Sequence, residues 1–419
     1  MRKELKDYKN LIDKCVLCGG CHPDCPTYQL SRMERDAARG KVLLAKALLD
    51  GELEPTRSMA ETFGHCLTCM ACVEACPAGA DPVKVIAAAR AAIGKKRGLG
   101  FIPRLIFSTI LPNRALMPLL AWGLGIATRL FKLLPPVFPG IKGMTHGGKK
   151  RLMPAFHFSS LKGMLPDVIP AKGEKTMRAA FFTGCMADWV FTEGGRAVVD
   201  ILTLCGAEVV IVKDEVCCGA PAFFAGDRAS AELMAMKNLA LFATADADYI
   251  VTSCATCGDV LKEVYPDLAP GGATKKFSDK VIDFQKLLAG PLLARLPVKP
   301  HSGPKLKVTY HDPCHLSRGM KVMKEPREIL RRLPGVEFIE MAEADRCCGG
   351  AGTFSADYYG DAVEIGRRKA ENIKATGAQI VATECPSCEM QLLDMVSRFA
   401  PGVEVLSTAE VVRRALERK

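Results

Sequence analysis

The chain has 419 residues, 49 % of them hydrophobic, which is enough for two or three domains with cores of their own. Nineteen cysteines in a chain this long exclude a small secreted module held together by disulfides. The start, Met1-Arg2-Lys3-Glu4, has no apolar stretch, so we expect no signal peptide and a reducing, cytoplasmic location. The formal net charge is +11, but residues 95–178 hold fifteen Lys and Arg against two acids, so the positive charge belongs to one segment.

Two cysteine runs near the N-terminus share the spacing C-x2-C-x2-C-x3-C-P, at residues 15–26 and 66–77. This is the bacterial ferredoxin spacing, in which three cysteines hold one [4Fe–4S] cluster and the fourth crosses to the other cluster. The proline ends each tight loop, so the fourth thiolate can face away. The runs predict two cubane [4Fe–4S] clusters, one at site A (Cys15, Cys18, Cys21 and Cys76) and one at site B (Cys25, Cys66, Cys69 and Cys72).

Other uses of these cysteines stay open. Structural zinc and a disulfide framework are alternatives, although a run of four cysteines exceeds what one tetrahedral zinc site uses. Residues 18–22 also match the C-x-x-C-H pattern of c-type haem attachment. Both of those cysteines already belong to the ferredoxin run, so we expect His22 to be a loop residue near the cluster.

Residues 1–98 form the predicted ferredoxin-like domain, with helices over Gly40–Leu49 and Pro82–Ile93. Residues 99–176 contain no cysteine and are predicted to be an apolar and basic linker. Within it, the stretch 101–138 is broken by five prolines, and its longest uncharged run has fourteen residues, fewer than the roughly 20 that a transmembrane helix needs.

Two interpretations of residues 101–138 remain. The segment forms short helices that pack the ferredoxin-like domain onto the rest, or it is an amphipathic basic segment that lies on an anionic membrane surface or docks a membrane subunit. The following stretch, Ile141–Lys175, is rich in Gly, Pro and Lys and is predicted to be a long linker or surface loop.

Residues 177–419 contain an internal repeat. In each half a strand-like stretch leads to a cysteine. A Cys-Cys-Gly triplet follows after 31 or 32 intervening residues, and 35 or 36 residues separate the second cysteine of this triplet from a C-x-x-C pair. Helical patterns, Asp227–Ala243 and Asp361–Thr376, separate these motifs. Strands that alternate with helices predict a parallel sheet, so we expect two α/β units, at 177–297 and 298–419.

The cysteines of each half follow predicted strands, and the carboxyl ends of parallel strands meet at one edge of a sheet. Five thiols should therefore converge in each unit. We name these sets site C (Cys185, Cys217, Cys218, Cys254 and Cys257) and site D (Cys314, Cys347, Cys348, Cys385 and Cys388). Zinc and thioredoxin-like dithiol chemistry at the C-x-x-C pairs are the alternatives to a cluster. A glycine after each cysteine pair, Gly219 and Gly349, lets the backbone approach a bulky ligand.

These repeated motifs resemble the cysteine-rich CCG domain. The arrangement of two ferredoxin runs, an apolar linker and two CCG motifs resembles the glycolate oxidase and lactate dehydrogenase iron–sulfur subunits and the heterodisulfide reductase catalytic subunit. The resemblance implies one or two non-cubane [4Fe–4S] clusters at sites C and D, with zinc in one of them as the alternative. The implied fold is a helical ferredoxin-like 2×[4Fe–4S] domain followed by two Rossmann-like α/β CCG domains.

Residues around Cys314 and Cys347 distinguish the second half from the first. His311, Asp312, His315 and Arg346 are candidates for catalysis, because they place proton donors and a cation there. The alternative is hydrogen bonding to cluster sulfur. The nineteenth cysteine, Cys205, falls outside all four sites and is expected to be an inert buried thiol.

The resemblance implies an iron–sulfur electron-transfer subunit of a 2-hydroxy acid dehydrogenase complex acting on glycolate or lactate. Its partner would be an FAD-containing subunit, and its acceptor quinone or another molecule. The alternatives are a disulfide reductase of the heterodisulfide type and a non-catalytic docking subunit, peripheral on the inner face of the cytoplasmic membrane. No nucleotide-binding G-x-G-x-x-G follows a strand, and the basic segment lacks the interleaved aromatics typical of nucleic-acid binding.

Overall fold

The computed structural model describes residues 3–133 and 144–418, apart from the side chain of Lys132. The N-terminal unit is helical. Its core packs apolar residues of two long helices, such as Val42 and Ile86, against Phe63. The second long helix begins where the Asp81 carboxylate caps the Lys84 amide. The helices are α1 (Lys9–Asp13), α2 (Pro26–Ser31), α3 (Ala38–Leu49), α4 (Arg57–Gly64), α5 (Ala71–Glu74) and α6 (Pro82–Arg97), with 3-10 turns at Leu5–Tyr8 and Glu34–Asp36.

The segment that follows is helical as far as position 133, and its last helix has 17 residues, so both interpretations of residues 101–138 remain predictions. Among the described residues no helix is long and apolar enough to cross a membrane. Residues 134–138 lie outside the described residues. The elements are α7 (Phe101–Leu105), a π-helical turn (Ile106–Ile110) and α8 (Met117–Leu133).

Over the described part of the predicted linker or loop Ile141–Lys175, residues 144–175, the chain has only short elements between irregular stretches. This part packs against the domains that follow. Arg151 is buried and donates to the Ser355 carbonyl at 2.7 Å, and Lys162 is buried beside Glu215. Basic side chains can be buried when ion pairs or hydrogen bonds compensate their charge. The composition of the segment does not show which side chains are paired in this way. The elements are β1 (Thr145–His146), β2 (Lys149–Lys150), α9 (Leu161–Met164) and β3 (Val168–Ile169).

The first repeat is an α/β unit around a five-stranded sheet of order β3-β5-β4-β6-β7, in which β3 alone runs antiparallel. The strands are β4 (Met177–Phe181), β5 (Ala207–Ile211), β6 (Tyr249–Thr252) and β7 (Val281–Asp283). The helices are α10 (Gly184–Trp189), α11 (Thr192–Leu204), α12 (Ala220–Ala225), α13 (Arg228–Ala243), α14 (Ala255–Asp259), α15 (Tyr265–Leu268), α16 (Gly272–Lys280) and α17 (Phe284–Leu287). Turns of other helix types lie at Val260–Val264, Leu288–Leu292 and Leu293–Arg295.

The second repeat has a parallel four-stranded sheet of order β11-β10-β8-β9, the same arrangement as β7-β6-β4-β5. The strands are β8 (Leu306–Tyr310), β9 (Val336–Phe338), β10 (Ile380–Thr383) and β11 (Glu404–Ser407). The helices are α18 (Glu325–Arg332), α19 (Phe354–Asp357), α20 (Tyr359–Ala375), α21 (Pro386–Phe399) and α22 (Thr408–Glu417), with a π-helical turn at His315–Gly319. The predicted repeat and parallel sheets are confirmed.

The two repeats share one apolar core. Phe181 and Phe284 of the first repeat pack in the same buried cluster as Tyr310 and Leu406 of the second. Cys205 lies in this cluster, where burial raises the pKa of its thiol to about 12. Because the repeats are packed against each other, their cysteine loops can face one another. The domain limits at 98, 176 and 297 remain predictions.

Candidate metal centres

The structure gathers the N-terminal cysteines in the two predicted sets. One cavity is lined by all four cysteines of site B, and another by all four of site A. Cys72 of site B lines both cavities, so the two sites are neighbours. This is the crossed arrangement expected of two ferredoxin runs. Ligation itself remains a prediction.

Tight loops shape both sites. Leu17 and Thr68, each two residues after the first cysteine of a run, have positive φ angles of 55° and 52°. The turns aim backbone amides at sulfur: Gly20 donates to Cys18 Sγ at 3.5 Å and Thr68 to Cys66 Sγ at 3.4 Å. Such N–H···S contacts stabilise thiolate, the form that binds metal.

A buried cation lies beside site B. Lys41 is 1 % exposed, lines the cavity of site B, and donates from Nζ to the Asp36 carbonyl at 2.6 Å. Burial lowers the pKa of Lys41, whereas the charges of Cys66 and Cys25 raise it. An ammonium in this position compensates the negative charge of a thiolate-bound centre.

Site D borders a cavity of about 100 Å³ between the N-terminal unit and both repeats. Its lining includes four cysteines of site D together with Cys66, Arg90 and Phe224. The hydrogen bond with Cys388 lowers the pKa of Cys348 well below its usual value, and both residues line the cavity. Gly349, at φ +86°, brings the chain within reach of α20, where a Cβ would lie 2.6 Å from the Ala362 carbonyl oxygen.

Two of the four candidate residues reach site D. His311 is buried against Cys348 and Cys388, with a ring nitrogen and both sulfurs all within 4.8 Å of one another. His315 lines the cavity, and its Nδ1 lies 2.6 Å from Asp259 Oδ2 of the first repeat. Burial disfavours the imidazolium, but the hydrogen bond and charge of Asp259 raise the pKa of His315 above its usual value.

The other two candidates point elsewhere. Both carboxylate oxygens of Asp312 accept hydrogen bonds from Arg327 at 2.8 Å, so this group is occupied. Arg346 is half-buried and lies 3.6 Å from Glu343. Neither side chain lines the described cavity at site D.

The thiols of site C interact with one another. Hydrogen bonds from Cys217 and Cys257 lower the pKa of Cys218 to about 6, and the hydrogen bond with Cys217 raises the pKa of Cys185 well above its usual value. A Cβ on Gly184 would lie 3.1 Å from Cys257 Sγ, so only glycine fits beside the thiols.

A buried acid orders the loop that leads into site C. Glu215 accepts hydrogen bonds from the Thr183 hydroxyl at 2.7 Å and the Gly184 amide at 2.8 Å. Burial raises the pKa of Glu215, and Lys162 lies 3.3 Å away. The loop of site C is therefore held by a buried acid that is paired with a buried lysine.

The two repeats differ at one equivalent buried position. Gly219 and Gly349 approach Ala231 and Ala362, and seven residues further along each helix stand Asn238 and Lys369. Asn238 binds backbone groups of Val216 and Cys217. Lys369, 1 % exposed, donates instead to the carbonyls of Glu343 and Ala344. At this helix position the first repeat has a neutral side chain and the second a cation, although buried Lys162 of another element donates to the Glu215 carbonyl in the loop of site C at 3.0 Å.

The four sites form an unbroken succession that the sequence did not predict. The hydrogen bond between Cys69 of site B and Cys347 of site D raises the pKa of Cys69 well above its usual value. Hydrogen bonds from Cys254 of site C and from Cys388 lower the pKa of Cys385 well below its usual value. The Ala255 amide also donates to the Glu384 carbonyl at 3.0 Å. The order in space is therefore A, B, D, C.

Three buried or half-buried side chains hold the N-terminal unit on the repeats. Arg90 donates to the Cys66 carbonyl at 2.8 Å and to the Phe224 carbonyl at 2.7 Å. Arg318 joins Glu74 to Asp345, and His65 lies 2.9 Å from both Asp36 and Asp361. These contacts fix site B beside site D.

The donor set fits iron–sulfur or zinc chemistry. All nineteen cysteines are free thiols, and eighteen of them lie in the four sites. Within a site, the pKa of some buried thiols is raised and that of others is lowered. Hydrogen bonds alone stabilise such a group of thiols poorly, whereas metal ions bind the deprotonated thiolates well. Five thiols per site exceed one tetrahedral zinc ion, which favours clusters at C and D.

Two family models match the chain. The CCG cysteine-rich domain matches residues 179–262 and again residues 308–393. The 4Fe-4S dicluster domain matches residues 11–80. These ranges contain all eighteen cysteines of sites A to D.

Curated proteins match over most of the chain. The probable glycolate oxidase iron–sulfur subunit of Bacillus subtilis is 30 % identical over 412 residues, covering 93 % of this chain and 90 % of that protein. One subunit of the dihydromethanophenazine:CoB–CoM heterodisulfide reductase of Methanosarcina barkeri is 29 % identical over 440 residues, covering 98 % and 97 %. Lactate utilization protein A 2 of Bacillus cereus is 27 % identical over 249 residues, covering 58 % and 100 %.

Proposed function

The chain belongs to the family of CCG-domain iron–sulfur proteins with a 4Fe-4S dicluster domain, and on that premise we propose that it is the electron-transfer subunit of a 2-hydroxy acid dehydrogenase complex. Its relatives are subunits of oxidoreductases, which confirms the resemblance seen in the sequence. In this proposal a separate FAD-containing subunit oxidises glycolate or lactate. This chain then delivers the electrons to quinone or another acceptor.

The succession of four thiol sites carries the proposal. Sites A and B would hold the two cubane [4Fe–4S] clusters, and sites C and D one or two non-cubane clusters, with zinc in one of them as the alternative. Iron–sulfur clusters supply one-electron transfer when bound. The chain holds its sites in contact through Cys72, Cys69 with Cys347, and Cys254 with Cys385, as a relay requires.

Anoxic reduction by substrate tests this function. The chain is purified from its host with the FAD-containing subunit, and its visible absorption is followed after addition of glycolate or lactate. We expect bleaching by one of these acids that needs the flavoprotein. A complex that dithionite bleaches, but neither acid does, contradicts the proposed function. Omitting the flavoprotein is the control.

A disulfide reductase is the second candidate, and the cavity at site D favours it. Two electrons and two protons convert a disulfide into two thiols, and His315, which lines the cavity, would donate one of the protons. Half-buried Cys314 also faces this space. The pure chain should then oxidise a reduced viologen on addition of a heterodisulfide, and His315→Gln should slow this reaction. No viologen oxidation rules this function out.

A docking role for α7 and α8 is the third candidate. Five apolar side chains at helical spacing on α8 are at least half exposed: Leu119, Trp122, Ile126, Leu130 and Leu133. Residues 101–133 contain no acid and four cations. Apolar exposure with positive charge suits the surface of an anionic membrane, so we place this face on the lipid headgroups, with peripheral attachment.

Fluorescence can test this attachment. The chain has two tryptophans, and Trp189 is buried, so Trp122 reports on the face. Its emission should shift to the blue on vesicles of phosphatidylcholine with phosphatidylglycerol, and Leu119→Ser with Ile126→Ser should reduce binding severalfold. Met323→Ser, which removes an exposed apolar side chain elsewhere, is the control. No binding by the wild-type chain contradicts attachment to lipid and leaves a protein partner.

A further inference from the structure

His311 has a free ring nitrogen in the interior of the protein. The side chain is 1 % exposed and follows β8 directly. Its Nδ1 lies 3.2 Å from the carbonyl oxygen of Ala344. Its Nε2 is buried and makes no hydrogen bond of normal geometry among the described residues, and the ring lies close enough to Cys348 to lower the pKa of that thiol. Because a carbonyl oxygen only accepts, Nδ1 carries the proton, and in the neutral ring Nε2 then presents a lone pair.

That lone pair belongs to a compact group of possible metal ligands. A ring nitrogen of His311, Cys348 Sγ and Cys388 Sγ all lie within 4.8 Å of one another, and all three residues are buried. Imidazole nitrogen and thiolate sulfur bind metal at about 2.0–2.3 Å, so donors on one ion lie roughly 3–4 Å apart. Small side-chain rotations would bring these three donors onto one ion.

We propose that His311 is a metal ligand of site D through Nε2, so that site D has a mixed nitrogen and sulfur donor set. Site C has no equivalent. Phe182 stands three residues before Cys185, as His311 stands three residues before Cys314, and its ring cannot ligate. The inference rests on the proposed function only in that site D holds a metal centre.

The surroundings of His311 favour ligation over a hydrogen bond to cluster sulfur. In a neutral ring, a hydrogen bond to sulfur needs the proton on Nε2, which would turn the lone pair of Nδ1 toward the Ala344 carbonyl. Two hydrogen-bond acceptors would then face each other in the interior, which costs free energy of folding. Ligating histidines typically donate their other N–H to a carbonyl, as His311 does. Lys369 donates to the same oxygen and holds it in place.

A neutral imidazole ligand would give site D a different net charge from site C. It leaves site D less negative than site C, whose cysteines supply thiolates alone. Histidine ligands raise the reduction potential of iron–sulfur centres relative to all-thiolate ones. A buried ammonium lies at the loop of each site, Lys369 at site D and Lys162 at site C, so the difference between the sites rests on the imidazole. Site D is thus the higher-potential site of the pair.

Nitrogen isotope substitution tests the ligand directly. The holoprotein is purified anoxically from cells fed natural or 15N-labelled histidine, and its iron and zinc are measured. Pulsed electron paramagnetic resonance of the site D signal should show an imidazole nitrogen coupling that changes with the isotope. His311→Phe, which copies site C, should lose it, and His301→Phe should keep it. If site D holds zinc, absorption spectroscopy at the zinc edge should show imidazole scattering that His311→Phe removes.

The outcomes separate this inference from the proposed function. If the protein has its full metal content and a 2-hydroxy acid reduces it, but neither nitrogen coupling nor imidazole scattering is seen, His311 is not a ligand. This outcome leaves the proposed function standing. About eight irons and no zinc means that site D holds no metal, which overturns the inference and the four-site relay together. The isotope comparison uses the unaltered chain, so it stands even if His311→Phe does not fold.

Discussion

Replacing Lys369 by Met should lower the reduction potential of site D. The ammonium is almost fully buried and binds the carbonyls of Glu343 and Ala344, three residues before Cys347. One charge at about 7 Å, with an effective dielectric constant of about 20, contributes about 2 kcal/mol. For a one-electron couple this corresponds to a shift on the order of 100 mV. Methionine keeps the side-chain volume and removes the charge.

Anoxic redox titration followed by electron paramagnetic resonance measures this shift. Asn238→Leu, at the equivalent position of site C, is the control, and it should move the potential of site C far less because no charge changes. Burial lowers the pKa of Lys369 to about 8, so raising the pH from 7 to 9 should lower the potential of site D in the wild type but not in the variant. An unchanged or higher potential in an iron-replete Lys369→Met protein would refute this reasoning.

Further predictions concern the loops and the core. The Gly349→Ala protein should contain less iron than the Gly219→Ala protein. The added Cβ at position 349 would lie 2.6 Å from a backbone oxygen, whereas the added Cβ at position 219 would lie 3.3 Å from Ala231. Iron analysis of both proteins tests this, and an equal loss of iron would contradict it. Burial raises the pKa of Asp283 to about 7, above the unfolded value of about 3.9, so stability falls by up to about 4 kcal/mol as the pH rises from 4 to 7. Asp283→Asn should therefore raise the unfolding temperature at pH 8 and have little effect near pH 4; a benefit that is equal at both values would count against this. Cys205→Ser should leave iron content and spectra unchanged, and a loss of iron would show that Cys205 is a ligand.

Local spacing was enough to predict much of the fold, whereas the assignment of cysteines to metal sites remains a prediction. The C-x2-C-x2-C-x3-C-P runs constrain short loops, and the structure lines one cavity with each crossed set. The strand-like stretches before Cys254 and Cys385 became β6 and β10, because short β-branched runs bounded by turns favour buried parallel strands.

The order of the sites could not be predicted from the sequence. Cys69 and Cys347 are far apart along the chain, and their contact depends on how Arg90 and Arg318 hold the N-terminal unit. Lys41 and Lys369 were also missed. A lysine in an amphipathic helix ordinarily faces solvent, and nothing local marks these two as buried.

The central claim is that one chain holds four iron–sulfur sites. Iron analysis combined with spectroscopic assignment of the iron environments tests this claim most directly. Anoxic protein from the native host should contain about sixteen irons and about sixteen sulfides per chain, in two cubane and two distinct non-cubane environments by Mössbauer spectroscopy. About eight irons in cubane environments, with zinc at the remaining sites, would contradict the assignment of clusters to sites C and D.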